Sequence, residues 1–441
     1  MSHGIGDNAA MNQPPSGMGA DEARGQRFTA RGWQPVQPAG WQVAGVPNLH
    51  SHAFQRAMAG LSERRGRDDD SFWTWRELMY ALSARFDPDR LHAVATQVYA
   101  EMLEAGYTSV CEFHYLHHAP DGQPYATPTA MSDALIAAAR EVGIRLTLLP
   151  VLYVSGGFDG RPLSPRQRRF GHDVQAYLRL FEALWRQQDD GLRIGCALHS
   201  LRAVPVAAMR EVLAALPPIA PVHIHVAEQQ AEVQECLALR HARPVEWLLA
   251  HAQVGPHWTL VHATHVEPAE VRAIAASGAT VALCPTTEAN LGDGIFPLRP
   301  FLDAGGRIGV GSDSHVSVSP VEELRWLEYG QRLRTHRRNV AAAGAGGSVG
   351  ERLLAACLAC APQATGFADA DDWVRLDLRQ PQFAAAGQAT LVDRWLFAGN
   401  RPAVESVHVL DQPRVQGGRH VQADAIAQRF ERSMRGLLDG L

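Results

Sequence analysis

Between positions 43 and 314, short apolar runs alternate with stretches of helical period, eight times over. The runs cover 43–52, 109–115, 145–153, 193–201, 221–228, 259–265, 279–286 and 307–314. Ala/Leu/Arg-rich helical stretches lie between them at 89–105, 130–141, 174–188, 206–215 and 267–276. A strand that reaches the next strand through a helix pairs with it in parallel, because a tight hairpin permits only antiparallel pairing. Eight such units predict a (β/α)8, TIM-like barrel rather than an open sheet. The barrel is expected over 46–366.

The flanks read differently. Residues 1–25 are rich in Gly, Asn, Pro and Ser without apolar periodicity, which predicts a disordered tail. Residues 26–45 predict a short N-terminal β segment of one or two strands. The long 62–86 connection carries Phe72, Trp73, Trp75 and Arg76 and is expected as a loop at the barrel mouth. Helices are predicted at 320–338 and 350–360, separated by a flexible Gly/Ala stretch at 341–347. Residues 373–418 are strand-like, with turn signals at Gly399-Asn400 and Gly417-Gly418, and 424–438 form an amphipathic helix. Residues 367–441 thus predict a small β unit plus a C-terminal helix, a β-sandwich built mainly from C-terminal strands.

In such a barrel the chemistry gathers at the C-terminal ends of the strands. The first run ends in His50-Ser51-His52, two imidazoles on one strand face. The fifth ends His223-Ile224-His225-Val226-Ala227-Glu228, the sixth holds His262, and the eighth ends Gly311-Ser312-Asp313. Buried imidazoles and carboxylates are costly without a partner, and one cation serves all four strand ends. His50, His52, His225 and Asp313 are the expected ligands, leaving a coordination position open as catalytic zinc sites do. His223 competes with His225 but lies one pleat deeper, roughly 6–7 Å back along the strand. Glu228 after His225 favours the mouth side. His265 and His315 fall beyond their strands and equally suit loops. Cys357 and Cys360 lie within a helical pattern and read as packing residues.

Composition removes several chemistries. The chain contains no lysine, so all 41 basic residues are arginine. It therefore has no Schiff-base lysine, no phosphate-loop lysine and no carboxylated lysine bridging two metals. A formal net charge of −5 without a basic stripe argues against a nucleic-acid partner. No apolar run reaches membrane-span length, and no charged start precedes an apolar leader. Six scattered cysteines fit a reducing cytoplasm.

Six pieces in order carry a family resemblance: Asn48-Leu49-His50-Ser51-His52-Ala53-Phe54-Gln55-Arg56, Phe72-Trp73-Thr74-Trp75-Arg76, Glu112-Phe113-His114-Tyr115, Leu198-His199-Ser200-Leu201-Arg202, His225-Val226-Ala227-Glu228 and Gly311-Ser312-Asp313-Ser314-His315. From 47 to 421 the chain resembles the mononuclear deaminase branch of the amidohydrolase superfamily, and within it the formimidoylglutamate deiminases. The resemblance implies one divalent metal per chain, usually zinc, on His50, His52, His225 and Asp313. It implies that Glu228 and His262 act beside it, and that Gln55, Arg76, Tyr115, His199 and Arg202 hold the substrate. Asp313 and His262 then orient a water and take its proton, and Glu228 carries a proton to the leaving nitrogen. The implied reaction is hydrolysis of N-formimino-L-glutamate to N-formyl-L-glutamate and ammonia in histidine degradation, by a homodimer. Arg76 and Arg202 suit the two substrate carboxylates, with the pairing between them open. The same chemistry on an aromatic base such as guanine or cytosine, or on a triazine-type ring, is the alternative. A non-catalytic barrel would have shed ligands that this chain keeps. Relatives place several strands ahead of the barrel, so the short segment here predicts a reduced β domain.

Overall fold

The computed structural model describes residues 25–37, 40–63, 72–368 and 370–440. The expected tail lies outside them, apart from Gly25.

All eight predicted runs become barrel strands. In order these are Val46–Ser51, Tyr107–His114, Arg145–Leu152, a fourth strand in two pieces (Leu192–Ile194 and Cys196–Ser200), Val222–Val226, Trp258–His262, Thr280–Leu283 and Arg307–Val310. Neighbours pair in parallel throughout, and the eighth strand returns to the first through Val310 and Asn48, which closes the barrel. Crossover helices pack outside it and start where the sequence supplies caps. Asp87 accepts from the Arg90 amide at 2.8 Å and Asp173 from the Ala176 amide at 2.7 Å.

The 43–52 run serves two sheets. Trp41–Ala44 belongs to the small sheet and Val46–Ser51 to the barrel, with Gly45 between them. A Cβ at Gly45 would stand 2.0 Å from Thr108 Oγ1, so only glycine passes this close to the second strand.

The small sheet has seven strands. Gly25–Thr29, Gly32–Val36 and Trp41–Ala44 join Trp373–Leu376, Val404–Val409, Gln412–Gln416 and Arg419–His420. The N-terminal segment therefore gives three strands where one or two were expected. The strand-like reading of 373–418 also missed the helix Gln388–Phe397. That helix buries Leu391, Val392, Trp395 and Leu396, a one-sided helical spacing. Gly417 and Gly418, both at positive φ, make the predicted turn.

The barrel floor is closed by the C-terminal end of the helix Val349–Thr365. Thr147 Oγ donates to the Thr365 carbonyl at 2.6 Å, and Cys111 Sγ to the Ala364 carbonyl at 3.7 Å. His223 Nε2 stands 3.0 Å from the same Ala364 oxygen. Carbonyls left unpaired at a helix end thus meet polar side chains from the second, third and fifth strands. Cys357 and Cys360 are buried in this helix.

A buried ion pair joins barrel and small sheet. Arg145 Nε and Nη2 donate to Asp372 at 2.6 and 3.1 Å, with side chains 10% and 4% exposed. Asp372→Ala leaves the guanidinium buried and uncompensated, and is expected to lower stability by about 3–5 kcal/mol. Chemical denaturation measures this, and an unchanged midpoint would dismiss the pair as a tie. Among the described residues no helix is long and apolar enough to cross a membrane.

Candidate active site

The ends of the first and eighth strands are laced together. Asn48 Oδ1 accepts from the Ser312 amide at 3.1 Å, and its Nδ2 donates to Ser312 Oγ at 2.6 Å. The Asp313 amide donates to the His50 carbonyl at 3.0 Å, and the His52 amide to the Asp313 carbonyl at 3.1 Å. A Cβ at Gly311 would lie 2.7 Å from His50 Cβ, so glycine permits this approach. His50, His52 and Asp313 therefore converge because their backbones are paired.

His50 Nε2 and His52 Nε2 each lie 3.4 Å from Asp313 Oδ1, and His225 Nε2 lies 2.9 Å from His50 Nε2. Ligand atoms 2.0–2.1 Å from a zinc ion stand roughly 3–3.5 Å apart, so this spacing suits one cation. The outer ring nitrogens fix the rings. His52 Nδ1 stands 2.8 Å from the Phe113 carbonyl and His225 Nδ1 3.0 Å from the His199 carbonyl. Each Nδ1 facing an oxygen carries the proton, which leaves Nε2 with its lone pair aimed inward. The Phe113 ring lies under His50 and His225, with centroids 5.2 and 4.2 Å away.

Electrostatics favour the ligand forms. Burial lowers His50 to about 3, and lowers His52 and His225 as well, so the rings are neutral. Burial works against a charged Asp313, yet the carboxyl is held below its usual range, and of the imidazoles beside it His262 is the one raised towards the charged form. His50, His52 and Asp313 bring ligand atoms within 4.8 Å of one another, and His225 joins them through His50, a donor set suited to a divalent cation.

His262 Nε2 lies 3.7 Å from Asp313 Oδ2 and 3.8 Å from Glu228 Oε1. Burial raises the Glu228 carboxyl above the usual range. At His262 burial opposes a charge, but Glu228, Glu288 and Asp313 outweigh it and raise the imidazole. Three of these residues lie at positive φ or beside it: Ala227 at 53°, His262 at 69° and Asp313 at 46°. A non-glycine residue held there costs about 1–3 kcal/mol and marks a backbone constrained by its surroundings.

One pocket contains the rest. Gln55, Arg76, Tyr115, His199 and Arg202 line it together with His52, His225, Glu228, His262 and Asp313. His50 is fully buried beneath. Gln55 Nε2 donates to the Tyr115 hydroxyl at 2.9 Å, and the Arg76 guanidinium stacks 5.1 Å over the Tyr80 ring. Arg76 lies on the helix Phe72–Ser83, not on the expected loop; residues 64–71 fall outside the description. Helical spacing within 72–83 was the available signal.

His223 bonds the barrel floor, away from this pocket. His265 is a loop residue. His315 is buried between Ser51 Oγ at 3.1 Å and Ser312 Oγ at 3.0 Å, bracing the two ligand loops. Sequence reasoning gave no part to Glu112, Glu288, Tyr80 or Tyr153. Glu112 accepts from Ser51 Oγ and from the Ala53 amide, holding the first strand's end, and burial raises it to about 7. Tyr80 and Tyr153 line the pocket.

A parallel barrel with imidazoles and a carboxylate gathered at its mouth defines a class of metal-dependent hydrolases. The profile of the Amidohydrolase family matches residues 42–361, and the chain belongs to that family. The formimidoylglutamate deiminase of Pseudomonas aeruginosa is 50% identical over 405 residues, 90% of this chain and 89% of that protein. An 8-oxoguanine deaminase of the same organism is 28% identical over 338 residues, 72% of each chain. The crystal structure of an amidohydrolase from Brucella melitensis matches with a TM-score of 0.88 at 43% identity, covering 94% of this chain and 98% of that one.

Proposed function

We propose that this chain hydrolyses N-formimino-L-glutamate to N-formyl-L-glutamate and ammonia, a step of histidine degradation. One observation carries the reading. Two arginines share a pocket with the histidine–carboxylate cluster, in a chain 50% identical to a formimidoylglutamate deiminase. The substrate carries its cationic formimino group on the α-nitrogen, beside the α-carboxylate, and a second carboxylate at the end of the side chain. Arg76 and Arg202 suit the carboxylates through charge-assisted, planar hydrogen bonds. Gln55, Tyr115 and His199 line the same pocket.

His50, His52, His225 and Asp313 would hold one divalent cation, and three nitrogens with one carboxylate suit zinc. Bound there, a cation supplies Lewis acidity that brings the pKa of a water towards 7. His262 Nε2, 3.7 Å from Asp313 Oδ2, orients the water, and Asp313 accepts its proton. The water oxygen adds to the formimino carbon, and the bond to the terminal nitrogen breaks. Glu228 first steadies the cationic formimino group as a carboxylate. Its raised proton affinity then lets Oε1 take up the proton that the water gave to Asp313 and deliver it to the terminal nitrogen, which leaves as ammonia while the added hydroxyl passes its own proton to Asp313 and becomes the formyl oxygen. On this reading the enzyme is a cytoplasmic homodimer, and the exposed Trp326, Tyr329 and Leu333 on one helix offer apolar surface for association.

The deciding assay is ammonia release from N-formimino-L-glutamate, with and without chelator, beside purines, pyrimidines and triazines. Ammonia from the ring compounds alone overturns the proposal. Arg76→Ala and Arg202→Ala are each expected to raise KM, since a lost charged hydrogen bond of about 1.5–3 kcal/mol corresponds to roughly 10- to 150-fold. Steady-state kinetics check this; an unchanged KM in both variants removes the arginines from substrate binding.

A further inference from the structure

We infer that Glu288 is a positioning residue that fixes the proton of His262 on Nδ1 and turns Nε2 toward Asp313 and Glu228. The inference deepens the deiminase reading and rests on it for the role of His262.

Glu288 sits in the first turn of the short helix Pro285–Leu291, directly after the seventh strand. Its Oε1 accepts from the Cys284 amide at 2.9 Å. That bond alone is ordinary capping, a glutamate reaching back to the residue before the helix. The same oxygen, however, stands 3.3 Å from His262 Nδ1 on the neighbouring strand. Glu288 is 4% exposed and His262 1%. A carboxylate buried this deeply needs donors, and the imidazole supplies one. An acceptor at Nδ1 keeps a proton there whichever charge the ring carries, and Nε2 becomes the face the ring offers the pocket. Nε2 in turn lies 3.8 Å from Glu228 Oε1 and 3.7 Å from Asp313 Oδ2.

The backbone explains why a tether is needed. His262 is the last residue of its strand, and it and Ala263 have φ of 69° and 48°, so the strand ends at the ring's base. Regular strand geometry no longer dictates the ring's direction, and the side-chain bond does. Cys284 Sγ is near enough to form a cation site with the same two residues. Burial and the surrounding carboxylates push its thiol well above the usual range, so it stays neutral beside the pair.

The experiment uses metal-loaded protein labelled with ¹⁵N-histidine, with the His262 signals assigned by their loss in His262→Gln. Nδ1 is expected to carry the proton in the unsubstituted protein and in Glu288→Gln, whose amide oxygen still accepts. Glu288→Gln should stay within about tenfold of normal kcat, whereas Glu288→Leu should lose roughly 10- to 100-fold, the usual cost of removing an outer partner of a site histidine. KM and bound metal should not change in either, which separates orientation of one ring from a general loss of structure. A bare Nδ1 in the unsubstituted protein overturns the inference, as does a folded Glu288→Leu with normal kcat. Should Glu288→Leu fail to fold, the tautomer in the other two proteins decides. No turnover of N-formimino-L-glutamate by the unsubstituted protein would overturn the substrate, and the tautomer would still decide the part played by Glu288.

Discussion

His225→Ala is expected to take ammonia release to background and to strip the chain of its metal. The ring is held by its Nδ1 against the His199 carbonyl, with Nε2 2.9 Å from His50 Nε2. Alanine deletes one of the four proposed donors and would leave His50 and Asp313 buried without a shared cation. The lost rate is large because the pKa of an unassisted water is about 15.7, far from the value near 7 reached at a metal. His223→Ala is the matched control. His223 shares the strand face of His225 but is bonded to Ala364 at the barrel floor. It should lower stability while metal content and turnover remain. Metal per chain after dialysis, measured beside ammonia release, tests both. A His225→Ala protein that kept one metal and normal turnover would falsify the proposed ligand set.

Glu228→Gln is expected to lower kcat by about 10²–10⁴-fold, the usual worth of a positioned acid–base group, with the metal still bound. Glu228 lies beyond the four proposed ligands, nearest to His262 Nε2 at 3.8 Å. Its amide is held by Glu232 Oε2 at 3.1 Å, so the backbone should not move when the side chain changes. Glutamine keeps the shape and loses the proton that burial makes Glu228 ready to hold. The affected quantity is therefore kcat, with KM and metal content near normal. Near-normal turnover would pass proton delivery to another group, His262 being the adjacent one.

The barrel was legible because alternating strand and helix periods are local in the sequence, and eight of them leave few ways to pair. His50, His52, His225 and Asp313 were legible for a related reason: each sits where an apolar run stops. What escaped was set by contacts distant in sequence. Glu288 is an unremarked helix residue until His262, 26 positions earlier, is found at its carboxylate. Glu112 acquires a role only from Ser51, at the end of the adjoining strand, and Ala53 just past it. Ala227, His262 and Asp313 adopt positive φ without glycine to announce it. The 43–52 run looked like one strand because nothing local reveals that Thr108 crowds Gly45 and divides it. Gln388–Phe397 was hidden among β-rich neighbours, where a single helical face is short.

Thr147, Cys111 and His223 cork the base of the barrel with the tip of one helix. A corked barrel is a well reached from its mouth. On the proposed reading, reactant and products would exchange through the pocket that Arg76 and Arg202 line, so ammonia would leave past the glutamate moiety those arginines hold and traffic at the rim would become part of each catalytic cycle.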